Sequence, residues 1–293
     1  MSIEDSREIL VGIDGSPGSE SALRWAYATA RLESRPVTAL LGWTADGVPR
    51  PVYQAAANVD HLGLMKAADL TLDRVITHVP MPDPPVELRR LVVAGDPVQA
   101  LADNARTAAM IVVGPREPGI AHRITAGSVA QRLLHCQASP VIVVHGPQTD
   151  AGSRGGRPIV VGVDGSAPSS AAVRWALTQA TEREAPLHLV HAYSIYVTPP
   201  GPPLVDFYPS LQRNAERLLA DVMGSDIDTG AGVEIHRIAV DEFPSRGLLQ
   251  AARDAQLLVV GSRGRGGFTE LVLGSTAHQC MLHAQCPVAV LRS

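Results

Sequence analysis

The chain has 293 residues, 45% of them hydrophobic and 18% charged, the composition of a globular protein rather than a disordered one. That length favours two domains over one, and each half, about 145 residues, is long enough to bury a sizeable core. A formal net charge of −4 excludes general attraction to nucleic acid or an anionic membrane, so an anion must be held locally by a loop or a helix end.

The opening segment MSIEDSREILVGIDGS is acidic and lacks a long apolar run, which is not the pattern of a signal peptide. No stretch approaches the roughly 18 apolar residues of a membrane span. The three cysteines, Cys136, Cys280 and Cys286, lack CxxC spacing. An odd number of this kind reads as free thiols in a reducing compartment, so a cytoplasmic protein is expected.

Ile9 opens a β-branched run that ends in Asp14-Gly15-Ser16, polar turn chemistry that also starts a helix. Trp25 falls on the core side of that helix. Further on, Asp96-Pro97 reads as cap and first helical residue. The run MIVVG from Met110 leads into the Gly/Arg-containing stretch GPREPGIAHRITAGSV, residues 114–129.

The same unit is then written again. ILVGIDGSPGSESALRWA from Ile9 recurs as IVVGVDGSAPSSAAVRWA from Ile159, and MIVVGPREPG from Met110 recurs as LLVVGSRGRG from Leu257. Between the copies, residues 146–158 are rich in Gly and Pro, the composition of a linker. We therefore expect a tandem duplication, with domains at residues 1–148 and 156–293.

In the second copy, strands are expected at 159–163, 186–193, 233–240, 257–260 and 288–291. Helices are expected after Ser166 (with Trp175 in the register of Trp25), at 211–223, from Pro244, and at 277–284. Strands alternating with helices imply βαβ units, and so α/β domains with a doubly wound, five-stranded parallel sheet in each copy.

Ligands of such sheets bind beyond the carboxyl ends of the strands, where the winding reverses. There Asp164 would meet the stretch GSRGRGGFTELVLGST, residues 261–276. Gly261 and Gly264 permit close backbone approach. Gly274-Ser275-Thr276 precedes a helix, whose first N–H groups and dipole suit phosphate, and Arg263 and Arg265 add charge. The alternative role for Asp14 and Asp164 is helix capping, for the two arginines it is solvated surface charge, and Ser275 could also serve as a cap.

Several other chemistries find no support in the sequence. There is no GxxxxGK[ST], no well-placed GxGxxG and no GxSxG elbow. The histidines lack a metal-binding pattern, and His188 and His191, three apart on a strand, face opposite sides of the sheet.

The spacing Gly261-x2-Gly264-x9-Gly274-Ser275, with Asp164 at the end of the first strand, resembles the ATP-binding motif of the universal stress protein family, in its tandem-domain form. The resemblance spans both copies and implies a Rossmann-like fold related to the adenine nucleotide alpha-hydrolases. By position it implies that Gly162, Asp164 and Ala192 hold the adenosine end of ATP. Gly261, Arg263, Gly264, Gly274, Ser275 and Thr276 would surround the phosphates, with Arg265 and a Mg²⁺ ion nearby.

The matching first-copy positions are Gly12, Asp14, Gly42, Gly114, Arg116, Gly127, Ser128 and Val129. The first copy departs from the motif at Glu117, where the second glycine belongs. A carboxylate there disfavours a triphosphate, and Arg116 and Arg123 only partly offset it. The second site is therefore expected to bind ATP more tightly.

The resemblance implies a stress-response module that binds ATP and acts on unidentified regulatory protein partners. It also implies self-pairing through the last strand, at 141–144 or 288–291, as a homodimer or as an internal pseudo-dimer. The alternatives are a slow ATPase or phosphotransferase at the same site, for which no water-activating residue stands out, and a nucleotide-free scaffold.

Overall fold

The β-branched runs of both copies form strands buried on both faces, as a parallel sheet covered by helices requires. The computed structural model describes residues 7–115, 128–136, 139–146, 154–194, 208–222, 232–264 and 273–292. The chain divides into two compact units, Met1–Gly152 and Ser153–Ser293.

The first unit runs β1 (Glu8–Gly12), α1 (Pro17–Glu33), β2 (Val37–Trp43), α2 (Arg50–Ala55), α3 (His61–His78), β3 (Leu88–Ala94) and α4 (Pro97–Asn104). A single 3-10 turn (Ala105–Thr107) leads to β4 (Ala108–Val113), α5 (Ser128–Cys136) and β5 (Val141–Val143). Its strands are parallel, in the order β3-β2-β1-β4-β5.

The second unit runs β6 (Ile159–Gly162), α6 (Ala167–Glu182), β7 (Leu187–Tyr193), α7 (Tyr208–Asp221), β8 (Ile235–Asp241), α8 (Pro244–Ala251), β9 (Leu257–Gly261), α9 (Ser275–His283) and β10 (Val288–Leu291). Here the parallel order is β8-β7-β6-β9-β10. Each unit is thus doubly wound, and the winding reverses between β1 and β4 and between β6 and β9.

These central strands carry the core: Ile9, Leu10, Val11, Ile159, Val160 and Val161 are all 0% exposed. Trp25 is buried beside them, whereas Trp175, in the same helical register, is only half-buried. The short helix α2 was not announced by the sequence pattern; the matching stretch of the second copy, residues 195–207, lies outside the described residues.

Helix starts follow side-chain chemistry. Ser16 and Ser166 cap α1 and α6 by accepting from the amides of Ser19 and Ser169, satisfying a donor that the first turn leaves without a partner. Asp96 caps α4 by accepting from the Gln99 amide at 2.9 Å and also pairs with Arg132 of α5 at 3.1 Å. The Gln99 amide, aided by Arg132, holds the Asp96 carboxyl below its usual range against a smaller opposing effect of desolvation. Among the described residues, no helix is long and apolar enough to cross a membrane.

Where β2 meets α4, a Cβ on Gly42 would lie 2.6 Å from Pro97 Cα, so the glycine is set by packing. The second unit has Ala192 at that strand position and carries the glycine on the helix instead, where a Cβ on Gly247 would lie 3.1 Å from the Ala192 Cβ.

Two outcomes are expected. Gly42→Ala destabilises the protein by about 1–3 kcal/mol in denaturant unfolding, because backbone must move, and by more than Gly247→Ala, which meets only a methyl. Asp96→Asn lowers stability at neutral pH. Because the folded-state pKa of Asp96 is depressed, its contribution is present above the unfolded carboxylate range and lost as pH falls through the folded value. The gap between wild type and variant in thermal melts therefore closes in acid.

Candidate functional site

In the second unit, the loops leaving the neighbouring strands β6 and β9 enclose a cavity of about 450 Å³. Gly162, Asp164 and Ala192 line one part of it; Gly261, Arg263, Gly264, Gly274, Ser275 and Thr276 line the rest. The structure thus brings together all of the second-copy residues singled out from the sequence except Arg265, which lies outside the described residues.

Asp164 is the hinge of this arrangement. Its Oδ1 accepts from the Ser166 amide at 2.9 Å and from the Ser166 hydroxyl at 2.6 Å. The capping role belongs to Ser166, so Asp164 is not the helix cap. Its other oxygen faces the second loop, where a Cβ on Gly264 would lie 2.5 Å from Oδ2. A side chain at 264 therefore collides with the carboxylate whether or not a ligand is present. The Ser166 hydroxyl also lies 3.4 Å from the Arg263 carbonyl oxygen, a second tie between the loops.

The other motif glycines divide into two kinds. A Cβ on Gly261 would stand 3.0 Å from the backbone of Pro168 and Ser169 at the start of α6, so packing alone explains it. A Cβ on Gly274 would meet nothing nearer than 3.5 Å. That is ordinary van der Waals contact with the backbone of residues 262–264, so packing does not require a glycine there.

Gly274 is also the residue that caps α9, in extended geometry and with no side-chain hydrogen bond. Ser275 is the first helical residue, which corrects the expectation that it could itself be the cap. Among the described residues, no side chain caps the first amides of α9, which line the cavity at the positive end of the helix dipole. The half-buried Arg263 adds a guanidinium with no ion pair among the described residues. Anionic oxygens are what such a surface accommodates.

Sequence reasoning missed several cavity residues, among them Ser169, His191, Pro244 and Leu248. The His191 Nδ1 lies 2.6 Å from the Val163 carbonyl oxygen. A carbonyl only accepts, so Nδ1 carries the hydrogen and fixes the peptide that precedes Asp164. No spacing rule marks such a residue, and the first copy has Leu41 there.

His188, on the opposite face, packs its ring against His236 at 5.0 Å, and burial, followed by that neighbour, pushes its pKa down. Among the described residues, no cluster of three or more His, Cys, Asp or Glu could hold a metal ion. Burial drives the Cys280 and Cys286 thiols up to about 12 and about 11, so both stay protonated and unreactive.

In the first unit, Gly12 ends β1 and faces Leu101, and Gly114 packs against the backbone of Gly18. The exposed Asp14 accepts from the Ser16 amide at 2.9 Å. Its turn is braced by α3, whose Arg74 donates to the Gly15 carbonyl at 2.9 Å. Ser128 and Val129 begin α5. Arg116, Glu117, Arg123 and Gly127 lie outside the described residues.

Tandem doubly wound α/β units, the second with an anion-friendly cavity at its switch point, define the class. Comparison with known proteins gives the family. The sequence profile of the Universal stress protein family matches residues 6–145 and again 156–292. A universal stress protein of Mycolicibacterium smegmatis is 32% identical over 293 residues, covering 97% of this chain and 96% of its relative. One from Mycobacterium tuberculosis is 32% identical over 289 residues, with the same coverage. The chain belongs to the universal stress protein family. The fold is shared with a universal stress protein crystal structure from Archaeoglobus fulgidus (TM-score 0.66, 18% identity, 99% of both chains covered).

One double-mutant cycle tests the contact between the loops. Gly264→Ala is expected to lower stability by about 1–2 kcal/mol in the absence of ligand, and most of that loss disappears in an Asp164→Gly background. Equal penalties in both backgrounds would show that Asp164 and Gly264 do not touch.

Proposed function

We propose that the second-unit cavity binds ATP and that the protein is a nucleotide-dependent regulatory module of the stress response. The observation that carries this reading is the start of α9, which is capped by Gly274 without a side-chain hydrogen bond and lines the cavity. Backbone amides and the helix dipole there suit phosphate oxygens, and Arg263 supplies charge. Gly162, Asp164 and Ala192 form the adenosine end. With no protein cluster to hold a metal among the described residues, a Mg²⁺ ion would arrive coordinated by the phosphates themselves.

The first unit is the weaker site in this reading. Its Glu117 stands where the second glycine of the motif belongs. In the second unit even a methyl at that position meets the carboxylate of Asp164. Binding rather than turnover is the output, since Asp164, the one carboxylate lining the cavity among the described residues, is engaged by Ser166 and is assigned to the adenosine end. Regulatory proteins, and a second copy of the chain paired through a last strand, are the partners that belong to this reading.

Isothermal titration of the full chain with ATP is expected to show one tight site per chain. Arg263→Ala should weaken that site by about tenfold, the loss of a charge-assisted contact, while Asp14→Ala leaves it unchanged. Two equal sites, or an affinity indifferent to Arg263, would overturn the assignment. Denatured wild-type protein run on nucleotide chromatography should release ATP; release of ADP alone would point to hydrolysis instead.

A further inference from the structure

The Gly-x2-Gly-x9-Gly-Ser spacing leaves the hydroxyl of Ser262 without a role. Ser262 follows Gly261 directly at the end of β9 and lines the cavity. Its backbone is fixed on both sides: the amide donates to the Leu291 carbonyl at 2.6 Å, and the carbonyl accepts from the Gly274 amide at 2.7 Å. The residue therefore joins the strand, its neighbour β10 and the start of α9.

The residue is 1% exposed, and its Oγ has no hydrogen-bond partner among the described residues. A buried hydroxyl left in that state costs stability, and native structures contain few of them. Local turn chemistry does not explain it, because the nearby Ser166 and Ser169 hydroxyls both have partners. Nor does the fold require a hydroxyl at this point. The first copy has Pro115 at the matching position, with neither a hydroxyl nor an amide hydrogen to offer. Its Cδ would lie 3.1 Å from a Cβ on Gly18, where the second copy has Pro168. The proline has in effect moved from the helix side of the junction to the loop side, and the donor is lost with that move.

We infer that Ser262 is a ligand-binding residue whose hydroxyl donates to an anionic oxygen of the phosphate-bearing ligand held at the start of α9. The identity of that ligand as ATP rests on the reading above. The contact lies outside the Gly-x2-Gly-x9-Gly-Ser spacing. It also gives the inequality between the two units a second source, independent of Glu117: Pro115 cannot make it.

Ser262→Ala in the full chain tests this, because a structural hydroxyl and a ligand-binding one respond with opposite signs. ATP affinity should fall by about tenfold. The melting temperature without nucleotide should stay level or rise, since the variant removes a polar atom that had no partner. Unchanged ATP affinity in the variant, beside a wild type that binds, would overturn the role of Ser262 alone. So would a melting temperature that falls by several degrees together with the affinity, which marks a packing role. A wild-type chain with no affinity for ATP would instead overturn the nucleotide reading and this contact with it.

Discussion

Hydrogen-bonded pairing of β6 with β9 brings the two loops of the site within reach of each other. These strands are adjacent and parallel, yet the chain winds away from them in opposite directions, so their carboxyl ends open a crevice that no crossover helix covers. Asp164 spans that crevice, one oxygen held by Ser166 and the other against Gly264. The start of α9 and the approach of Arg263 depend on the loops being held in this way. The glycine at 264 lets the two loops approach this closely.

The two copies fill matching junctions of strand end and helix with residue types exchanged between the two sides. Gly42 and Ala100 in the first unit stand where Ala192 and Gly247 stand in the second, and Gly18 and Pro115 where Pro168 and Ser262 stand. Each exchange preserves the close packing of strand end and helix, which the core demands. The chemistry facing the cavity is not preserved. Pro115 brings no donor, Leu41 replaces His191, and α3 braces the Asp14 turn through Arg74. The duplication kept the scaffold and let the two mouths diverge.

Strand positions were legible from the sequence because a strand covered on both faces leaves an unbroken β-branched run, and β10 matches its expected bounds, Val288–Leu291. The Pro at the start of α8 and the Asp96 cap were legible for equally local reasons. Less visible were features decided across the fold. Trp175 shares its register with Trp25 but is half-buried, and the cap of α9 is Gly274 rather than Ser275, because cap geometry depends on where the preceding loop arrives. Roles for Gly264 and His191 depend on atoms a hundred or so and about thirty residues away, respectively, which no motif spacing encodes.

The central claim is that a nucleotide's phosphates sit on the first amides of α9 in the second unit. A crystal structure of the full chain grown with a non-hydrolysable ATP analogue tests it most directly. The account predicts density in the second-unit cavity, with phosphate oxygens against the backbone at Ser275 and Thr276 and within reach of Arg263. An analogue bound elsewhere, or one lying in this cavity with its phosphates turned away from α9, would contradict it.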